Sequence, residues 1–226
     1  MLDDLLSTWS LFGHTYVGSA LLAALLSLAG VHLYARRQIF LGAALAQAST
    51  MGVAIALATA ACHPFGLHLH DTAWYPKCWA IACAMFAAVG MEHVARRNES
   101  REGAVGAVFL ITSAAALLIT ARQPFGMEEV QRMLASSLLV IGPLEAQLFG
   151  VLLLLAGLVT WRACDRLLLV AVDPLTAAAA GLRVPAWQLG TALGGALVIG
   201  ASIQSSGLLF TFANLLLPVL AAKRLV

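Results

Sequence analysis

The densest group of side chains able to hold a metal lies in residues 61–74, which read ACHPFGLHLHDTAW and contain His63, His68, His70 and Asp71. His68 and His70 are two positions apart. In an extended segment both point to one side, with Leu69 opposite. Two imidazoles on one side could share a divalent cation, but a closed site needs three or four ligands. The segment therefore reads either as a weak metal relay or docking surface, or as a polar connection. Cys62 and Cys78 flank it; an oxidising compartment would permit a disulfide between them, and free buried thiols are the alternative. The four cysteines form no CxxC pair and no zinc-ligand spacing.

Other chemistry is sparse. The lysines are Lys77 and Lys223 alone, and no GxxxxGK[ST] phosphate loop exists. This chain is therefore not expected to bind or hydrolyse ATP, or to carry a cofactor of its own. Gln47, Thr50, Met51, Gln204 to Ser206 and Asn214 are polar or polarisable groups inside otherwise apolar runs. Asp173-Pro174 followed by Ala177 to Ala180 and Gly181 has the form of a short capped helix. Asp173 suits the N-cap, Pro174 the first turn and Gly181 the stop.

These groups are scattered through an apolar background. Hydrophobic residues make up 61% of the chain and charged ones 11%, where an ordinary soluble domain has about 25% charged residues. The mean hydropathy is +0.90. With 13 basic and 11 acidic side chains, a soluble surface of this size cannot be covered. A soluble enzyme, a disordered chain and a secreted disulfide scaffold are excluded. The net charge of +2 gives no reason to expect nucleic acid as a partner.

A helix needs about 20 apolar residues to cross the hydrocarbon core. The uncharged stretches predict an all-α bundle of seven spans near 14–34, 38–60, 75–94, 104–121, 145–163, 185–203 and 206–222, with membrane lipid around it. The last two are separated at Gln204-Ser205-Ser206-Gly207, which reads as a turn. The whole chain, 1–226, is read as one transmembrane domain. A shorter apolar run, Met133 to Gly142, is expected to lie at the surface or re-enter.

Orientation follows from the basic residues. Arg36, Arg37, Arg96, Arg97, Arg101, Arg162, Arg166, Arg183, Lys223 and Arg224 fall on one side, and Lys77, Arg122 and Arg132 on the other. The richer side is expected to be cytoplasmic and the N-terminus outside. The acidic start, Met1-Leu2-Asp3-Asp4, does not read as a secretory signal. Residues 164–184 become the longest inner connection, with a surface helix expected at 174–180.

Four blocks, in order, resemble the membrane permease subunits of bacterial ATP-driven importers for zinc, manganese or iron. They are Arg36-Arg37 with Phe40-Leu41-Gly42, then Arg101-Glu102-Gly103-Ala104-Val105-Gly106 with Phe109. The third is Leu168 to Pro174 with Ala177, Ala179 and Gly181, and the fourth is Gly207-Leu208-Leu209 with Pro218. The likeness runs from about residue 14 to 222. It implies a multi-pass protein of the bacterial inner membrane, paired with a second copy as a homodimer. It also implies a cytoplasmic ATPase subunit that binds the ATP, and a periplasmic or lipid-anchored substrate-binding protein. It makes the 164–184 segment the coupling helix region, with Asp173, Pro174, Ala177, Ala178 and Gly181 as the residues that meet the ATPase.

Two departures accompany the resemblance. Where such permeases have an Asp and a His one helical turn apart on the second span, this chain has Ala43 and Gln47. A methyl group cannot bind a first-row metal, and a neutral amide oxygen is a weak ligand. Either the substrate is then not a bare zinc or manganese ion, or its ligands lie elsewhere. Gln47, Thr50, Met51 and Asn214 remain candidates for a polar path, and helix-to-helix hydrogen bonding is the alternative reading of Gln47 and Asn214. The family usually continues for one or two more spans after the Pro218 block, so the chain is expected to be short at its C-terminus. Two other classes compete with the importer. One is an ATP-independent secondary transporter, disfavoured because no Asp or Glu lies in the middle of a predicted span. The other is a structural membrane protein, which would leave the four blocks unexplained.

Overall fold

The computed structural model describes residues 2–62, 74–95, 100–122 and 141–225. Seven helices appear there: α1 Leu2–Ala35, α2 Ile39–Cys62, α3 Tyr75–Ala95, α4 Arg101–Ala121, α5 Pro143–Val172, α6 Pro174–Ala179 and α7 Val184–Leu225. Six of them, all but α6, are long and apolar enough to cross a membrane. Their outer faces carry bare leucines and isoleucines, such as Leu110, Ile111, Leu118 and Leu154. That surface suits lipid and would be unstable in water.

Alanine- and leucine-rich stretches form these helices readily, and small residues let them approach closely. A Cβ on Gly30 would overlap the Leu215 carbonyl oxygen, and one on Gly52 would overlap that of Trp79. The main core joins α2, α3 and α7 through Leu45, Ala48, Ala84, Ala88, Ile199 and Ile203. A second core joins α1, α5 and α7 through Leu22, Leu25, Leu26, Phe149 and Val198.

The predicted turn at 204–207 takes a specific form. Helix α7 has 42 residues, and a straight helix of that length would reach about 63 Å, twice the ~30 Å hydrocarbon core. Yet Arg36 Nη1 donates to the Gln188 carbonyl at 3.1 Å, while Lys223 Nζ lies 6.0 Å from the Tyr34 ring. Both ends of α7 thus meet the same end of α1, so the chain doubles back. It does so at Gly207, with φ 79° and ψ 168°, a backbone state reserved almost entirely for glycine. Arms 184–206 and 208–225 run antiparallel, and Thr211 Oγ1 donates to Ser202 Oγ across the fold at 3.3 Å.

One boundary differs from the expectation. The fifth span was placed at 145–163, but α5 continues to Val172 with a single non-helical residue at Ala163 (φ −117°, ψ 15°). Arg162, Asp165 and Arg166 end an apolar window without ending a helix, because charged residues have good or moderate helix propensity. The predicted connection 164–184 is therefore helical over its first nine positions, 164–172.

Candidate functional site

Helix α6 is built by its caps. Asp173 Oδ1 accepts from the backbone N–H groups of Leu175 and Thr176, each at 3.1 Å. Its Oδ2 accepts from the Thr176 hydroxyl at 2.5 Å. Those bonds, with the Thr176 hydroxyl first among them, hold the Asp173 carboxyl below the usual carboxylate range. Pro174 follows in the first turn, where a missing N–H costs nothing. At the other end Leu182 N–H reaches the Ala177 carbonyl at 3.1 Å and Gly181 N–H the Ala178 carbonyl at 3.0 Å. Gly181 takes φ 79°, which completes a Schellman stop. Ala177 is wholly buried, while Pro174, Ala178 and Ala179 are exposed and Leu175 is 83% exposed. The helix thus sits on the bundle by one small side chain and offers an apolar outer face.

The second predicted site is the face of α2. Ala43 is buried at 9% exposure, and Gln47, Thr50 and Met51 are half-buried. Thr50 Oγ1 donates back to the Ala46 carbonyl at 3.0 Å. Phe40 is exposed, and Gln47, Met51, Ile55 and Ala58 are half-buried at helical spacing. Together they form a stripe that the rest of the bundle leaves open. Leu45 and Ala48, on other faces, are wholly buried, and so is Ala44, which lies within the stripe between Phe40 and Gln47 and confines its open part to Gln47 onward. Asn214, on the second arm of α7, donates to the Phe210 carbonyl at 3.1 Å. Its own carbonyl accepts from Ser27 Oγ of α1 at 3.4 Å. The Asn214 side chain thus bonds within its own helix, and the contact with α1 runs through its backbone carbonyl.

The outer-loop candidates His63, His68, His70 and Asp71 lie outside the described residues. Among the described residues, no three of His, Cys, Asp and Glu come together as a metal-holding group. Cys78 is a free thiol, and the Cys62 side chain is outside the described set.

Sequence reasoning missed a buried charge junction. Glu92, 4% exposed, pairs through Oε1 with Arg36 Nη2 at 3.3 Å and through Oε2 with Arg101 Nη2 at 2.9 Å. Arg101 also donates to Gln188 Oε1 at 2.9 Å, and Arg36 donates to the Thr191 hydroxyl. Burial works against the Arg36 charge, and the Glu92 carboxylate works for it. The junction ties α1, α3, α4 and α7. Its signal in the sequence was a lone Glu92 near a span end, with Arg36 and Arg101 read for orientation and for the family blocks but not as its partners.

The pattern of one family, described as the ABC 3 transport family, matches residues 9–226. Among solved structures, PsaBC from Streptococcus pneumoniae in complex with Fab is similar in fold, with a TM-score of 0.76 and 16% sequence identity. The similarity covers 99% of this chain and 77% of that one. No curated protein sequence matches the chain.

Proposed function

The chain belongs to the ABC 3 transport family, and on that premise we propose that it is the transmembrane subunit of an ATP-driven importer in a bacterial inner membrane. The cargo is a divalent metal ion (zinc, manganese or iron) or a metal chelate, handed over by a periplasmic or lipid-anchored binding protein. ATP is bound by a separate cytoplasmic ATPase subunit.

The observation that carries this reading is α6. A helix of six residues is far too short to cross the membrane. It is nevertheless capped at both ends and presents Leu175 and Ala178 outward. A short rigid helix with an apolar face is what a motion-transmitting contact requires. We read Asp173, Pro174, Ala177, Ala178 and Gly181 as the parts that keep it rigid and seated. The ATPase would grip the exposed side, and its closure on ATP would shift the bundle between two states.

The open stripe of α2 supports a pathway between two copies of the chain. With Gln47 at its start and Thr50 close by, that pathway offers an amide and a hydroxyl in place of strong metal ligands. This favours a chelated or transiently held metal over a tightly bound bare ion. The test is co-purification with the ATPase, and coupled hydrolysis, after Ala178→Asp. Loss of both with an unchanged melting temperature is expected. Unchanged binding and hydrolysis would sink the coupling role.

A further inference from the structure

At the end of the bundle away from the Arg36 junction, three helices meet at a second charge pair. Lys77, in the first turn of α3 and 9% exposed, is paired with Glu145 in the first turn of α5. The Lys77 ammonium also lies 5.5 Å from the Trp74 ring, a cation–π distance. The pair uses one Glu145 oxygen. The other, Oε2, is enclosed and has no hydrogen-bond partner, and the same is true of the Ser205 hydroxyl. Ser205 is 3% exposed and lies on the first arm of α7, two positions before the Gly207 break.

These orphan groups share one space. Lys77, Glu145 and Ser205 all line a cavity of about 30 Å³, together with Trp74, Phe149 and Ala201. A water needs about 10–15 Å³ of such space and typically two to four polar partners, so the cavity has room for one. A carboxylate oxygen, a hydroxyl and an ammonium supply them. A cation is disfavoured there by the Lys77 charge, and an anion by Glu145.

We propose that one internal water joins Glu145 Oε2 to Ser205 Oγ. Lys77, Glu145, the water and Ser205 then form a latch that holds α3, α5 and the first arm of α7 together. The water donates one proton to the carboxylate and the other to the serine oxygen, or accepts the serine proton. Either arrangement satisfies both buried groups, which are costly to leave without a partner. Opening the bundle at this end requires the pair to part and the water to leave. That this opening admits cargo rests on the importer reading; the water and the latch do not.

The experiment uses the full chain in lipid nanodiscs. A cryo-electron density map should show a peak within hydrogen-bond distance of both Glu145 Oε2 and Ser205 Oγ; an empty cavity overturns the water. Ser205→Cys, in a chain otherwise free of cysteine, then serves as a probe for a small membrane-impermeant thiol reagent. Its alkylation should be at least about tenfold faster with Lys77→Met added, as losing a charged hydrogen bond requires. It should become slow again in the Lys77→Glu/Glu145→Lys exchange. Equal rates in all three overturn the latch, and the exchange separates a broken latch from a failed fold. Neither readout depends on transport. A latch that behaves as stated in a chain that imports nothing with its ATPase would sink the importer reading alone. Indifferent alkylation with intact uptake would sink the latch alone.

Discussion

The Arg36–Glu92–Arg101 junction and helix α6 lie at the same end of the molecule and are built in opposite ways. The junction is non-local: four helices contribute, and Glu92 is almost wholly buried. Helix α6 is local. Its hydrogen bonds run within residues 173–182, and a single buried alanine seats it. The first arrangement can change only if the bundle changes. The second can move as a unit without breaking any of its own bonds. A transporter driven from outside its bundle needs one of each, a fixed frame and a lever that can be pushed.

The largest test of that contrast is removal of the charge at the centre of the frame. Glu92→Gln leaves two arginines without their counter-charge at a buried site. It is expected to cost about 3–5 kcal/mol, because a half-removed buried pair leaves an uncompensated charge. A thermal melt followed by tryptophan fluorescence should drop sharply. A melt like that of the parent would show that the junction is not the frame.

A smaller effect is expected at the fold of α7. Gly207→Ala places a Cβ on a residue at φ 79° and ψ 168° and should cost about 1–3 kcal/mol. Its clearest sign would be weakened protection of the amides around Ser202 and Thr211 in hydrogen exchange. Retained protection would mean that α7 does not need the glycine in order to double back.

Asp173→Ala should act locally. Exchange of the 175–181 amides should quicken by about fivefold, the usual size of a lost N-cap, with the global melt unchanged. The pH dependence follows from the lowered carboxyl of Asp173. The cap's contribution is fully present above the ordinary Asp value of about 3.9 and is lost as pH falls through the lower folded value. Exchange of α6 should therefore stay protected at pH 4.5 and loosen only in stronger acid. A cap that loosened near pH 6 would contradict the geometry.

The smallest expected effect has the opposite sign. Arg37 closes α1 with φ 54°, while Gln38 N–H reaches back to the Leu33 carbonyl at 2.9 Å. This is a stop that glycine would make without strain. Arg37→Gly should stabilise the chain by about 0.5–1 kcal/mol, since a left-handed non-glycine residue costs about 1–2 kcal/mol and glycine returns part of that as chain entropy. A lower melting temperature would assign Arg37 a packing role that its exposed side chain does not show.

What could be read from the residues alone divides along the same line. Local features were legible. The uncharged runs located the long helices, Asp173-Pro174 and Gly181 located α6, and Gln204 to Gly207 located the fold of α7. Non-local features were not. Lys77 and Glu145 are 68 positions apart and Arg36 and Glu92 are 56 apart, and no periodicity announces that such residues will pair. The same limit explains α5. Arg162 and Asp165 mark where the apolar run ends, but where a helix ends is decided by its cap, and that cap is Asp173. The open stripe on α2 is likewise a tertiary fact, visible only once Leu45 and Ala48 are known to face inward.

The central claim is that α6 is the lever through which a separate ATPase drives this bundle. The most direct measurement is ATP hydrolysis by the ATPase reconstituted with this chain in lipid, comparing the parent with Ala178→Asp. A charge set into the exposed apolar face of α6, with the melting temperature held constant, is predicted to reduce stimulated hydrolysis and co-purification by at least about tenfold, the factor for about 1.4 kcal/mol of lost interface energy. Hydrolysis and binding equal to the parent's, on an intact fold, would contradict it.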